Sequence, residues 1–212
     1  MYNRLQYISQ GNTIDEQLNN IRQALKNGCK WIQLRFKKAT SEDMETLAEA
    51  VKKLCTEFGA TFIINDNVSL AQKINADGVH LGLKDMKISN AREILGPNKI
   101  IGGTANTLED VQKQIKEGAD YIGLGPFRFT KTKDNLSPIL GLEGSQNMVT
   151  ELRLLGISTP IYAIGGIQLE DVPAIIQTGI HGIAVSGLIT ENDNKTELIT
   201  KLNETLYEPV NI

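Results

Sequence analysis

The stretch Trp31-Ile32-Gln33-Leu34-Arg35-Phe36-Lys37 runs from an apolar segment into alternating polar and cationic residues. Successive side chains of an extended segment point to opposite faces, so Gln33, Arg35 and Lys37 share one face if the strand continues. The same design recurs along the chain. Asn65-Asp66 follows the apolar run Thr61 to Ile64, Gly82 through Asp85 follows Gly78 to Leu81, and Gly103-Thr104 closes Ile100 to Gly103. Gly125-Pro126 follows Tyr121 to Leu124, Gly165-Gly166 follows Ile161 to Ile164, and Ser186-Gly187 follows Gly182 to Val185. With Leu5 to Ile8 and Trp31 to Leu34 these runs make about eight strands.

Helical stretches separate them. Ser41 to Phe58 places Met44, Leu47, Ala48, Val51 and Leu54 at helical spacing, and Leu108 to Glu117 places Val111 and Ile115 on one face. Ser41 with Asp43, and Thr107 before Leu108-Glu109, read as helix starts; Gly28, Gly59, Gly118 and Gly179 stand where left-handed C-caps are wanted. Alternating strands and helices imply parallel strands with right-handed crossovers, in an open doubly wound sheet or a closed barrel. An open sheet concentrates its unusual residues at one switch point, whereas a barrel gathers every strand end around one mouth. Here nearly every strand contributes, so the reading is an α/β fold, a single-domain (β/α)8 TIM barrel over residues 1–212.

At 41% hydrophobic and 22% charged residues, the 212-residue composition excludes disordered, collagen-like and disulfide-scaffold classes. The 22 basic and 25 acidic side chains give a net charge of -3, which creates no general field for nucleic acid. Cys29 and Cys55 lack metal-ligand or C-x-x-C spacing, which suits inert thiols in a reducing cytoplasm. The start, Met1 to Tyr7, has no apolar signal core, and no run approaches the roughly 18 apolar residues of a membrane span. Export and membrane association are not expected, and the oligomeric state stays open, a homo-oligomer included.

Asp66 and Asp85 end neighbouring strands, which lie about 5 Å apart in a parallel sheet. As a pair they suit one hard cation, Mg²⁺ if phosphate oxygens complete its octahedron; singly, each is more often a helix cap or loop acceptor than a ligand. The Gln33, Arg35, Lys37 row is costly inside a barrel unless it meets a ligand or counter-ion. With Lys133 across the mouth, an anion such as pyrophosphate is expected, the alternative being an internal salt bridge to Asp66 or to a Glu elsewhere. The loop Gly125 to Asp134 is hydroxyl-rich and basic, a lid or clamp in which Thr130, Thr132 and Lys133 can donate to phosphate. The glycine-bearing ends Ala163 to Ile167 and Ala184 to Gly187 let backbone N–H groups approach a phosphate. His80 reads as a hydrogen-bonded structural residue and His181 as a surface one at the far end. No nucleophile elbow, H-E-x-x-H or P-loop pattern is present.

Together these motifs resemble the thiamine-phosphate synthase family, whose members carry Q-L-R-x-K, I-N-D, G-V-H-L-G-x-x-D, G-P-x-x-x-T-x-T-K and A-I-G-G-I in this order. The matching segments are Gln33 to Lys37, Ile64 to Asp66, Gly78 to Asp85, Gly125 to Lys133 and Ala163 to Ile167. The resemblance implies a transferase that couples 4-amino-2-methyl-5-hydroxymethylpyrimidine diphosphate to 4-methyl-5-(2-hydroxyethyl)thiazole phosphate, releasing pyrophosphate. It implies Mg²⁺ on Asp66 and Asp85, the diphosphate on Arg35, Lys37, Thr104 and Lys133, and Gln33 and Asn65 at the diphosphate or pyrimidine. Thr130, Thr132, Gly166 and the backbone of Ser186 and Gly187 would then meet the thiazole phosphate. Arg35, Lys37 and Lys133 would carry the catalytic neutralisation of the leaving group.

Four departures stand out. Arg128-Phe129 replaces the usual F-P, which suggests an extra cation near the diphosphate. Leu83 replaces a common Gln, Gly187 takes the usual serine position, and Thr104-Ala105-Asn106-Thr107 replaces S-x-H-T. The last change disfavours a related thiazole tautomerase, because Asn106 cannot transfer the proton that a histidine would. A non-catalytic barrel that binds only thiazole phosphate has no use for the metal and diphosphate residues.

Overall fold

The computed structural model describes residues 2–129 and 138–208. Their order is β1 (Leu5–Ile8), α1 (Ile14–Lys26), β2 (Trp31–Leu34), α2 (Ser41–Glu57), β3 (Thr61–Asn65), α3 (Val68–Lys73), β4 (Gly78–Leu81) and α4 (Ile88–Leu95). Then follow β5 (Ile100–Ala105), α5 (Leu108–Lys116), β6 (Tyr121–Leu124), α6 (Gly141–Leu154), β7 (Ile161–Ile164), α7 (Val172–Gln177), β8 (Gly182–Val185), α8 (Gly187–Thr190) and α9 (Lys195–Tyr207). Among the described residues the eight strands pair in sequence order, all parallel, and β8 returns to β1 to close the barrel.

The expected strands form where the apolar runs stand, and two extend further. β3 includes Asn65, which pairs with His80, and β5 continues to Ala105, where Thr104 and Ala105 pair with Gly123 and Leu124. Thr40, rather than Ser41, caps α2 by accepting the Asp43 N–H at 3.1 Å. Thr107 and Asp110 cap α5 reciprocally. Gly28 and Gly118 adopt φ of 101° and 100° after their helices, the left-handed conformation that a Cβ disfavours.

Alternation along the strands builds two cores. Outward residues such as Ile32, Leu34, Ile64, Leu81 and Ile122 are buried beneath the helices. Inward, Trp31, Tyr121 and Tyr162 fill the barrel toward the strand starts, with Ile63 packed among them. The Trp31 ring meets Tyr121 at 4.9 Å and Tyr162 at 5.2 Å, both edge to face. Gly102 makes room for this plug, since a Cβ there would lie 2.2 Å from the Tyr121 ring. The aromatic floor fills one end of the barrel, and the buried polar residues Gln6, Gln33 and His80 lie above it.

His181 is half-buried rather than on the surface. Its Nε2 lies 3.2 Å from the Tyr2 carbonyl and its ring stands edge-on to Tyr162. Cys29 and Cys55 are buried, and loss of solvation pushes their thiols up to about 11 and about 12, so both stay protonated. Among the described residues no helix is long and apolar enough to cross a membrane.

Candidate active site

The open end is built from strand C-termini, and its acidic corner comes from β3 and β4. Asp66 follows β3, donates its N–H to the His80 carbonyl at 2.9 Å, and takes φ of 65°. Left-handed backbone is uncommon outside glycine but tolerated by Asp and Asn. Asn67 then caps α3 through the Leu70 N–H at 2.9 Å, so strand, turn and helix follow without spare residues. Asp85 sits in the β4–α4 turn, where its Oδ2 accepts the Gly82 N–H at 2.6 Å. A Cβ on Gly82 would lie 2.8 Å from that oxygen, so glycine permits the turn.

The Asp66 and Asp85 side chains come within hydrogen-bond reach of each other. Burial, the hydrogen bond to Asp85 and its like charge push Asp66 up to about 6, while the charges of Lys37 and Arg35 pull it down. Below about pH 6 the pair shares one proton, in the place a divalent cation would take. Two protein carboxylates, with the remaining positions left to phosphate and water oxygens, fit Mg²⁺. Among the described residues no group of three His, Cys, Asp or Glu gathers.

The basic corner follows β2, which ends at Leu34, so Lys37 stands in a turn rather than on a continued strand with Gln33 and Arg35. Arg35 is half-buried and Lys37 exposed. The Arg35 backbone is held from both sides, its N–H by Ser9 Oγ at 2.9 Å and its carbonyl by Gln17 Nε2 at 3.4 Å. Gln33 is 2% exposed and donates to Gln6 Oε1 at 3.0 Å, which places it beneath the mouth rather than at its rim. Asn65 and Thr104 are half-buried at the ends of β3 and β5. Thr104 Oγ1 lies 3.0 Å from His80 Nε2, and its carbonyl accepts from Gln114 at 3.1 Å. His80 is thus the hydrogen-bonded residue expected.

Opposite, the chain after β6 lies along the chain after β7. Phe127 N–H donates to the Ile164 carbonyl and Arg128 N–H to the Gly165 carbonyl, both at 2.9 Å. Gly166 has φ of 68°, and a Cβ there would meet Arg128 Cβ at 2.9 Å. Arg128 does not supply a cation to the diphosphate corner. Its guanidinium forks onto Asp171 at 2.8 and 2.9 Å and donates to the Gly166 carbonyl at 2.8 Å. Ser186 Oγ donates to Gln10 Oε1 at 3.1 Å, and Ser186 and Gly187 open the short α8. Asn106 Nδ2 donates to the Gly125 carbonyl, tying β5 to β6. Thr130, Thr132 and Lys133 lie outside the described residues.

The structure therefore brings Arg35, Lys37, Asn65, Asp66, Asp85 and Thr104 to one side of the mouth, and Gly166, Ser186 and Gly187 to the other. Sequence reasoning missed Gln6, Ser9, Gln17 and Tyr121 as supports. A glutamine in the middle of the apolar run Leu5 to Ile8 was the available signal for the first.

A family model described as thiamine monophosphate synthase matches residues 5–189. The chain is 62% identical over 210 residues to the thiamine-phosphate synthase of Flavobacterium johnsoniae, with 99% of each covered. It is 64% identical over 206 residues to that of Flavobacterium psychrophilum, covering 97% of this chain and 100% of the relative. Its fold matches the thiamine phosphate pyrophosphorylase of Pyrococcus furiosus with a TM-score of 0.84 at 32% identity, over 97% of this chain and 96% of that one. The chain belongs to the thiamine monophosphate synthase family, and its activity is that of a thiamine-phosphate synthase, a transferase.

Proposed function

We propose that the mouth couples the aminopyrimidine diphosphate to the thiazole phosphate with Mg²⁺ on Asp66 and Asp85. The observation that supports this most is the meeting of the two carboxylates beside the charges of Arg35 and Lys37. Such a corner takes a metal diphosphate: acids for the cation, bases for the surplus anionic charge. When bound, Mg²⁺ supplies Lewis-acid neutralisation of the departing pyrophosphate.

The methylene C–O bond breaks first, its electron pair leaving with pyrophosphate, and the amino-substituted ring stabilises the cation. The thiazole nitrogen lone pair then forms the C–N bond. Arg35, Lys37 and Lys133 act by preorganised charge at the leaving group, which costs no reorganisation as charge develops. Thr104 donates to the diphosphate, Asn65 contacts diphosphate or pyrimidine, and Gln33 serves from beneath. Thr130, Thr132, Gly166 and the backbone of Ser186 and Gly187 hold the thiazole phosphate in line, so positioning supplies much of the remaining acceleration. Neither a protein nucleophile nor a strong base is required. Asn106, engaged by the Gly125 carbonyl, is no proton carrier, which favours the synthase over a tautomerase. The buried thiols suit the cytoplasm.

The test mixes purified protein with both substrates, with and without Mg²⁺, and follows thiamine phosphate and pyrophosphate. Equal, Mg²⁺-dependent appearance of both is expected; folded protein that yields neither overturns the reading. Asp66→Ala and Asp85→Ala should abolish most activity and its Mg²⁺ dependence, and Lys133→Ala should impair diphosphate handling. Sedimentation of the same preparation reads whether the chain is a homo-oligomer.

A further inference from the structure

Beneath the mouth a chain of side chains crosses the barrel interior from β2 to β5. Gln33 Nε2 donates to Gln6 Oε1 at 3.0 Å, and Gln6 Nε2 donates to the Tyr121 hydroxyl at 3.2 Å. That hydroxyl lies 3.0 Å from His80 Nδ1, and His80 Nε2 lies 3.0 Å from Thr104 Oγ1. Gln6, Gln33, Tyr121 and His80 are all at most 5% exposed. Barrel interiors are ordinarily filled by branched apolar side chains. A buried polar row is tolerable only when each member is satisfied, and then it specifies orientation as well as packing.

We infer that Gln6, Tyr121 and His80 are positioning residues, a one-way relay of donors that leaves the Thr104 hydroxyl hydrogen pointing to an anion at the mouth. The inference rests on the diphosphate reading of that mouth. The Tyr121 oxygen accepts from Gln6, so its single proton goes to His80 Nδ1. A neutral imidazole that accepts at Nδ1 carries its hydrogen on Nε2 and donates it to Thr104 Oγ1. Thr104 then accepts on its inward side and keeps its own hydrogen for the substrate. The parts are fixed: Tyr121 is wedged against Trp31 at 4.9 Å and against Gly102, and Gln114 holds the Thr104 carbonyl. Burial also raises the Tyr121 phenol well above its ordinary value, so it remains a donor. A relay running the other way would put Nδ1–H on His80 and turn an acceptor toward an anion.

The chain has 2 histidines, so ¹⁵N-histidine labelling resolves both rings, with His181→Gln to assign them. At neutral pH the His80 ring of the unliganded wild type should be the Nε2–H tautomer. Tyr121→Phe keeps the ring and removes the donor, so His80 should become a tautomer mixture. In the same variant kcat/KM for the pyrimidine diphosphate should fall about tenfold, the weight of one lost hydrogen bond, with KM for the thiazole phosphate unchanged. Thr104→Val should lose as much, and the double variant no more than Thr104→Val alone. An Nδ1–H wild-type tautomer, or losses that multiply, would overturn the relay. The wild-type tautomer decides the direction even if Tyr121→Phe does not fold. A wild type that makes no thiamine phosphate would instead sink the functional reading, leaving the tautomer to report on the relay by itself.

Discussion

Replacing Asp66 with Asn should make the metal-free protein more stable at pH 8. Asn tolerates the left-handed backbone that Asp66 adopts at φ of 65°, so the exchange adds little strain. Its amide hydrogen can also stand in for the proton shared with Asp85. In the wild type, burial and then Asp85 raise the Asp66 carboxyl from 3.8 to about 6. A carboxyl whose folded pKa is raised stabilises the fold fully below its unfolded value. That contribution is lost as pH rises through about 6. Two units at about 1.4 kcal/mol each set an upper figure of about 3 kcal/mol. For a chain of this size that corresponds to roughly 6–12 °C in melting temperature. The assay is thermal unfolding in EDTA from pH 8 to pH 5. Asp66→Asn should melt higher at pH 8, and the gap should shrink to about half by pH 5, as the wild-type carboxyl of the folded protein takes up its proton. Mg²⁺ with pyrophosphate should reverse the order, because only the wild type gains the binding term, about 4.1 kcal/mol at a thousandfold excess over Kd. An Asp66→Asn protein that melts no higher than wild type in EDTA at pH 8, or a gap independent of pH, would refute the reasoning.

Gly102→Ala would push a methyl to 2.2 Å from the Tyr121 ring, whose surroundings cannot yield, and should cost about 2–3 kcal/mol by urea unfolding; a loss under about 1 kcal/mol would show that the plug can shift. Arg128→Ala removes an ion pair whose arginine is 44% exposed, so stability should change by less than about 1 kcal/mol. The Gly166 carbonyl loses its donor at the same time, and KM for the thiazole phosphate should rise several-fold while that for the pyrimidine diphosphate holds; steady-state kinetics with each substrate varied in turn separates the two. Burial lowers the His181 pKa, the Tyr2 carbonyl opposing and the charge of Arg4 adding to it. Its stabilising contribution is therefore present above about pH 6.5 and lost as pH falls through the folded value. In the Asp66→Asn background, which removes the opposite slope, melting should fall between pH 7.5 and 5.5, and His181→Gln should flatten that fall.

Which features could be read in advance depends on how far their causes lie along the chain. Strands announce themselves locally: four apolar residues ended by glycine or a polar residue mark Gly182–Val185 as surely in sequence as in space. The acidic and basic corners were legible for the same reason, since parallel neighbours bring consecutive strand ends together and Asp66 needs only β4 beside it to meet Asp85. What escaped depends on contacts across the barrel. Arg128 reads as a cation for the diphosphate because nothing nearby in sequence shows that Asp171, 43 residues on, will fork onto it. His181 reads as surface because its cover is Tyr2, 179 residues away. Gln33 reads as a rim residue because its parity matches Arg35, yet its partner Gln6 arrives from β1, 27 residues before it. Parity along a strand tells which face a side chain takes, and a closed barrel adds depth along its axis, so residues of one parity divide into an aromatic floor, a polar layer and a charged rim. Trp31, Gln33 and Arg35 occupy those three levels in order, and the level decides whether a polar group meets substrate or holds the residue that does.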